Sequence, residues 1–311
     1  MRLILGLVLL IVSALSSAQA DTQTRFSLPI LLDDDRLKIQ VEWGGHPIRA
    51  TLDTAATYPL INASLLSKIE GEPLDETVTI FGVGGVKTFP VARTGELRID
   101  RTAFRDVLTA VTTTSQANGI EAIIPVALLP GRTLDFQFRK KRLEIYNTSP
   151  KAENRTVRSR FAYETIKGVP FIEVQINGVK GLALVDTGSD VTYINREFAR
   201  QAKAVFLADR TLEIFGTGPD ESPVQITRVK RFTLGDHRME SFELLSANTT
   251  VFDYLDRREE PTMVLGMDTL GQLRLQIDRQ EQEIFLSRRA DYAEGRRYSV
   301  TPFSGRIKRR R

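Results

Sequence analysis

Apolar and polar residues alternate with a period of two through much of this chain, and they do so in two sets that follow the same order. In the first set, Leu37-Lys-Ile-Gln-Val-Glu42 alternates, Gly44-Gly45 interrupts, and Ile48-Arg-Ala-Thr-Leu52 alternates again. Such segments have one apolar face, and a short glycine break between two of them predicts a β-hairpin lying on a core. In the second set, Phe171-Ile-Glu-Val-Gln-Ile176 and residues 181–185 flank Asn177-Gly178, a pair that tolerates the positive φ of a two-residue hairpin turn. Each hairpin runs directly into an acid, as Asp53-Thr54-Ala55-Ala56 and as Asp186-Thr187-Gly188-Ser189.

The two sets stay in step beyond the acids. At an offset of 133 residues Ile39 matches Ile172, Val41 matches Val174, Gly45 matches Gly178 and Thr54 matches Thr187. Leu60-Ile61-Asn62 then matches Tyr193-Ile194-Asn195, each leading into a short helix-like stretch. One residue out of that offset, Ile80-Phe81-Gly82-Val83-Gly84 matches Ile214-Phe215-Gly216-Thr217-Gly218. Further on, Ile123-Ile124-Pro125 and Leu128 to Gly131 match Leu265-Gly266-Met267 and Thr269 to Gly271, with Pro125 standing where the second copy has Gly266. Both copies end on paired alternating segments, Leu134–Phe138 with Leu143–Ile145 and Leu273–Ile277 with Glu283–Leu286. Several matches in one order at nearly one offset mark an internal duplication. The expected fold is all-β: two homologous lobes related by a pseudo-twofold axis, with short helices, since two repeats are too few for a solenoid.

The expected organisation has residues 36–146 as the N-terminal lobe and 161–288 as the C-terminal lobe. The polar run 147–160 is expected as a linker, residues 21–35 as a lead-in and 289–311 as a basic tail. Residues 1–20 carry the marks of a signal peptide: Arg2, then an almost unbroken apolar run from Leu3 to Leu15, then the small-x-small site Ala18-Gln19-Ala20. The mature chain is expected to begin near Asp21, the alternative being an uncleaved anchor. A short signal without a cysteine after it points to an exported, periplasmic bacterial protein.

The chain is ordinary in composition for a globular protein, 41% hydrophobic and 26% charged. Two features narrow its chemistry. It has no cysteine, which excludes thiolate nucleophiles, cysteine metal sites and disulfides. Its two histidines, His46 and His237, are isolated and read as ordinary turn residues, which leaves little for a zinc site or a Ser-His-Asp triad. No metal or cofactor is expected. The balance of 43 basic against 39 acidic residues comes largely from Arg296-Arg297 and Lys308-Arg309-Arg310-Arg311. Without aromatic interleaving this tail does not suggest nucleic-acid binding. It reads as a solvated terminus, with weak contact to a membrane or cell-wall polymer as the functional alternative.

What remains is the pair of acids. Pseudo-twofold symmetry brings equivalent points of two lobes together at the axis, so Asp53 and Asp186 are expected to face each other. Two carboxylates about 3 Å apart cannot both ionise readily and share one proton. A water held between them loses a proton to the ionised member while the protonated member polarises a carbonyl, which is hydrolysis without a covalent intermediate.

Asp186-Thr187-Gly188-Ser189 behind an apolar strand, with Val264-Leu265-Gly266 further along the chain, resembles the aspartic peptidases of the pepsin and retropepsin type; Asp53-Thr54-Ala55-Ala56 is similar to the second copy of that signature. The resemblance spans roughly residues 36–288 and implies retropepsin-like halves joined in one chain, acting as a monomeric endopeptidase on a protein or peptide substrate. It implies Asp53 and Asp186 as the catalytic pair, and Thr54 and Thr187 bonding across the lobe interface. Gly188, Ser189 and Ala55 are implied as support. Phe81, Gly82, Val83, Gly84 and Gly85 would form a flap over the substrate, with Gly216, Thr217 and Gly218 as its counterpart. Two departures fall in the first copy: Ala55 replaces the family's glycine, where a Cβ is costly if the turn needs φ > 0, and Pro125 replaces Gly266. They motivate the alternative of a weakly active or inactive peptide-binding module on the same scaffold.

Overall fold

The computed structural model describes residues 26–33, 36–82, 85–112, 121–214 and 222–289. Residues 1–20, expected as a signal peptide, residues 290–311 of the expected basic tail, Val83 and Gly84 of the first glycine turn, and Gly216, Thr217 and Gly218 of the second lie outside the described residues.

The duplication read from the alternating segments is a duplication of topology. In the N-terminal lobe, Arg36–Trp43 and His46–Asp53 form the predicted hairpin. Gly44 and Gly45 at its turn have φ of 55° and 75°, a conformation that costs glycine nothing. In the C-terminal lobe Val169–Ile176 pairs with Val179–Val185 through Asn177 and Gly178, at φ of 52° and 87°. The second strand of each hairpin then takes a parallel partner, Ala122–Pro125 in one lobe and Thr262–Leu265 in the other. A short strand crosses antiparallel to that partner in both, Leu60–Asn62 and Tyr193–Ile194. Asn62 and Asn195 stand at the ends of these strands and cap the next turn of the chain. Each side chain accepts from a backbone N–H: Ser64 at the 3₁₀ turn Ala63–Leu65, and Phe198 at the helix Arg196–Gln201. The acids therefore sit at equivalent places, at the end of a strand enclosed on both sides.

A six-stranded sheet joins the lobes, in the order Thr156–Ala162, Glu283–Arg289, Arg274–Asp278, Thr133–Gln137, Arg142–Tyr146, Phe26–Asp33. Three strands come from each half, and the pseudo-twofold axis passes between Thr133–Gln137 and Arg274–Asp278. This corrects two expectations. Residues 26–33 are not a lead-in but an outer strand with Leu28 and Ile30 buried. Their counterpart Thr156–Ala162 falls mostly in the expected linker. Both hide from a pattern search because each strand carries polar or turn-forming residues, Pro29 in one and Arg158 and Arg160 in the other. At the centre, Asp135 is fully buried and held by Arg274 from the other lobe, with Nε donating to Oδ1 at 2.8 Å and the terminal nitrogen to Oδ2. Leaving either partner alone there strands a buried charge, a cost of about 3–5 kcal/mol.

The histidine expectation is half corrected. His46 is exposed beside the Gly44-Gly45 turn, but His237 is buried at the start of His237–Ser246. Its Nε2–H donates to the Leu286 carbonyl at 3.1 Å, tying the C-terminal lobe to the interlobe sheet, while Nδ1 is buried without a partner among the described residues. Burial, with Arg288 nearby, lowers the pKa from 6.5. The unfolded chain therefore takes up this proton before the folded one does, and stability falls as pH drops below about 6.5 until the folded pKa is passed. Urea unfolding between pH 8 and 5 should show that loss in the wild type and a shallower one in His237→Leu; identical slopes would exclude this histidine as the cause.

Candidate active site

Asp53 closes the strand His46–Asp53, and Asp186 follows the strand Val179–Val185 directly. The loops after them fold back on their own carboxylates. Asp53 Oδ1 accepts from the N–H groups of Ala55 at 2.7 Å and Ala56 at 3.0 Å. Asp186 Oδ1 accepts from those of Gly188 at 2.8 Å and Ser189 at 2.9 Å. Each acid thus has one oxygen fixed by two amides and the other left free. The Asp53 carboxyl lies against Gly188 of the Asp186 loop, and each acid bears on the other's ionisation.

Two threonines hold the loops in register across the lobe boundary. The Thr54 N–H donates to Thr187 Oγ1 at 3.1 Å and the Thr187 N–H to Thr54 Oγ1 at 2.9 Å. Each hydroxyl then donates to a carbonyl of the opposite lobe, Thr54 to Val185 at 2.6 Å and Thr187 to Leu52 at 2.8 Å. Both side chains are buried, so breaking this reciprocal set leaves polar groups unpaired.

Electrostatically the pair is driven toward shared protonation. Burial raises both acids, against the amide hydrogen bonds that lower them; Asp186 lies well above 3.8, with the Asp53 charge as its second cause. Two carboxyls in contact and out of water retain one proton between them far above the ordinary range of an aspartate.

The glycine of the motif is required for a reason other than its backbone freedom. Gly188 has no positive φ. A Cβ placed on it would stand 2.2 Å from Asp53 Oδ2 and 2.3 Å from its Cγ. Ala55, at the equivalent place in the first loop, has no positive φ either. Its methyl packs against a C-terminal lobe cluster containing Phe171, Tyr193 and Phe252, and its amide still reaches Asp53. The expected strain at Ala55 is therefore absent. Pro125 lies in register with Asp53, where its lack of an N–H matters less than the sequence suggests. Its counterpart Gly266 donates to Thr192 Oγ1 at 3.0 Å, but the residue of the first lobe that matches Thr192 is Pro59, which has no hydroxyl to receive such a bond. The two prolines replace the pair together.

Ser189 is a support of its own loop: its hydroxyl donates to the Val191 carbonyl at 2.9 Å. The glycine hairpin is formed, with Glu72–Gly82 pairing with Gly85–Thr94 and Gly82 opposite Gly85. In the second lobe Val205–Ile214 and Ser222–Leu234 pair as the corresponding hairpin. Among the described residues no group of three or more His, Asp or Glu side chains gathers as a metal site.

Three participants escaped the sequence. Phe81 of the hairpin stacks on Tyr254 of the C-terminal lobe, with ring centroids 3.8 Å apart and planes at 14°. Tyr254 ends the helix Thr250–Tyr254, which has no described equivalent in the first lobe, so the repeat could not announce it. Lys167 steadies it, with Nζ 4.7 Å from the ring centre, donating to the Tyr254 carbonyl and pairing with Asp256 at 2.7 Å. The third, Asp268, lies beneath the Asp186 loop; Thr192 Oγ1 donates to it, and burial pushes its carboxyl up to about 6.

Comparison with known proteins agrees with this geometry. A family model described as aspartyl protease matches residues 39–124 and 172–269, one segment in each lobe, and so covers more than half of the chain. The chain belongs to the aspartyl protease family. Among solved structures, the aspartic proteinase from Irpex lacteus superposes with a TM-score of 0.53 at 11% identity, over 91% of this chain and 100% of that one. At that identity the likeness speaks to the fold, which is the two-lobed pepsin and retropepsin type. No curated protein matches the chain. Membership of an aspartyl protease family makes peptide the class of substrate.

Proposed function

We propose that this aspartyl protease is an exported endopeptidase that uses Asp53 and Asp186 as its catalytic pair. The observation that carries the proposal is the pair of carboxyls brought together at the lobe boundary, with one oxygen of each acid fixed by two amides. A water between the free oxygens gives a proton to the ionised carboxylate and its oxygen to the peptide carbonyl carbon. The protonated carboxyl gives its proton to the carbonyl oxygen, and a tetrahedral diol forms. Collapse of the diol breaks the C–N bond, a proton passes to the leaving nitrogen, and the pair returns to sharing one proton. The amides and threonines contribute by fixing the carboxyls before substrate arrives, so that little reorganisation is left for the reaction.

The signal-like residues 1–20 support export to the periplasm, and both halves of the site in one chain support action as a monomer. The test is digestion of a peptide library by protein lacking residues 1–20, read by mass spectrometry. Internal cleavage that disappears in Asp53→Asn is the expected result. Tight peptide binding without products would favour the binding module instead, and fractionation that leaves the protein in the cytoplasm would overturn the export reading.

A further inference from the structure

The glycine hairpin carries a charge that its own fold does not balance. Lys87 stands in the strand Gly85–Thr94 opposite Ile80, two pairs in from Gly82 and Gly85. Alternation along the strands puts Lys87 and Ile80 on the same face as the Val78 and Phe89 pair. On that face Phe89 is buried with Leu60 and Ala110, and Val78, Ile80 and Tyr58 pack against them. Tyr58 and Leu60 belong to the segment that leaves Asp53, so this is the face the hairpin turns toward the first loop of the site. The opposite face carries Phe81 on Tyr254 and is otherwise open to water: Thr79 and Thr88 share an exposed hydroxyl contact of 3.1 Å, and Val86 is half exposed.

A lysine on a hairpin ordinarily extends its ammonium into water. Lys87 does not. Its side chain is half-buried, with Nζ withdrawn from solvent and meeting no hydrogen-bond acceptor among the described residues. Buried cations are normally paired, because an ammonium without water or a counter-charge costs several kcal/mol. An extended peptide lying between the hairpin and the acids brings its own side chains to this face, and a carboxylate among them supplies what the ammonium lacks.

We infer that Lys87 is a specificity-determining residue that recognises a carboxylate of the peptide substrate. The inference rests on the peptidase reading of this cleft, and it adds a substrate class: peptides with an acidic side chain close to the scissile bond, or with a free C-terminal carboxylate at that distance.

Binding to the Asp186→Asn protein separates the recognition from the chemistry. The probes are fluorescent peptides that differ only by Glu against Gln at one scanned position, each prepared as free acid and as C-terminal amide. At one position Glu should bind about tenfold more tightly than Gln, the scale of a charge-assisted hydrogen bond. Adding Lys87→Met should remove the difference, and adding Lys87→Glu should turn the preference toward Lys. A tenfold difference between free acid and amide, in place of Glu against Gln, assigns the carboxylate to the peptide terminus. Equal binding of all probes, no binding of any, or a preference untouched by Lys87→Met overturns the inference. Cleavage of the same peptides by wild type tells the two readings apart. Cleavage without acid discrimination leaves the peptidase and removes the role of Lys87. Discrimination in binding without any cleavage does the reverse.

Discussion

Replacing Asp186 with Asn is expected to cut peptide hydrolysis by about 1,000-fold or more and, at pH 7, to raise the melting temperature. The loss of rate comes from removing one member of an acid–base pair whose two roles no neighbouring group can take over. The gain in stability comes from the direction of the pKa shifts. Burial raises Asp53 and Asp186, and the charge of Asp53 raises Asp186 further. A raised acid holds its proton more firmly when folded, so its contribution to stability is complete below the unfolded value of about 3.9 and is lost as pH rises through the folded values. At pH 7 the native protein therefore holds a proton on the pair that the unfolded chain would release, a cost that an amide does not incur. Each kcal/mol recovered should raise the melting temperature by roughly 2–4 °C. The gain should shrink toward zero below about pH 3.9, where both forms are neutral. Calorimetry of the two proteins across that range checks it; a destabilised Asp186→Asn at pH 7, or one that still cleaves, would remove the shared-proton account of the site.

A single added methyl group should be nearly as damaging. In Gly188→Ala the new Cβ would enter the Asp53 carboxyl, at 2.2 Å from Oδ2 and 2.8 Å from Oδ1. Neither atom can retreat cheaply, because Asp53 Oδ1 is fixed by two amides and the loops are tied by the threonine bonds. The expected outcome is a separated pair, a stability loss of about 1–3 kcal/mol as for other overpacked sites, and hydrolysis reduced at least 100-fold. The inverse change in the other loop, Ala55→Gly, should leave the rate within about threefold and cost roughly 0.5–1 kcal/mol in backbone entropy. Urea unfolding and turnover on one peptide measure both variants. Equal tolerance at the two positions would mean that the loops are interchangeable, contrary to the geometry.

The contrast between those two loops marks the boundary of what the chain alone conveys. The duplication was legible because each lobe repeats the same short-range pattern: alternating strands, a positive-φ hairpin turn, an acid, a capping asparagine. These are local requirements, imposed by one residue on its near neighbours, and a linear reading detects them at positions such as Asn177-Gly178 and Asn195. The outer strands of the interlobe sheet were not legible. Phe26–Asp33 and Thr156–Ala162 are strands because other strands lie beside them, and their own alternation is broken by Pro29 or masked by arginines.

The sequence by itself determined the fold class, the two acids and their equivalence. It also raised the right question at Ala55, where the first copy breaks the repeat. Only the tertiary structure could answer it, because the demand on that position is set by what approaches from the other lobe. Gly188 is excluded from bearing a side chain by Asp53, 135 residues earlier in the chain, whereas the Ala55 methyl finds an apolar wall of the C-terminal lobe. The same holds for Tyr254 against Phe81 and for the lone ammonium of Lys87. Their significance lies in packing and desolvation, and both arise only when distant parts of the chain are brought within a few ångströms of each other.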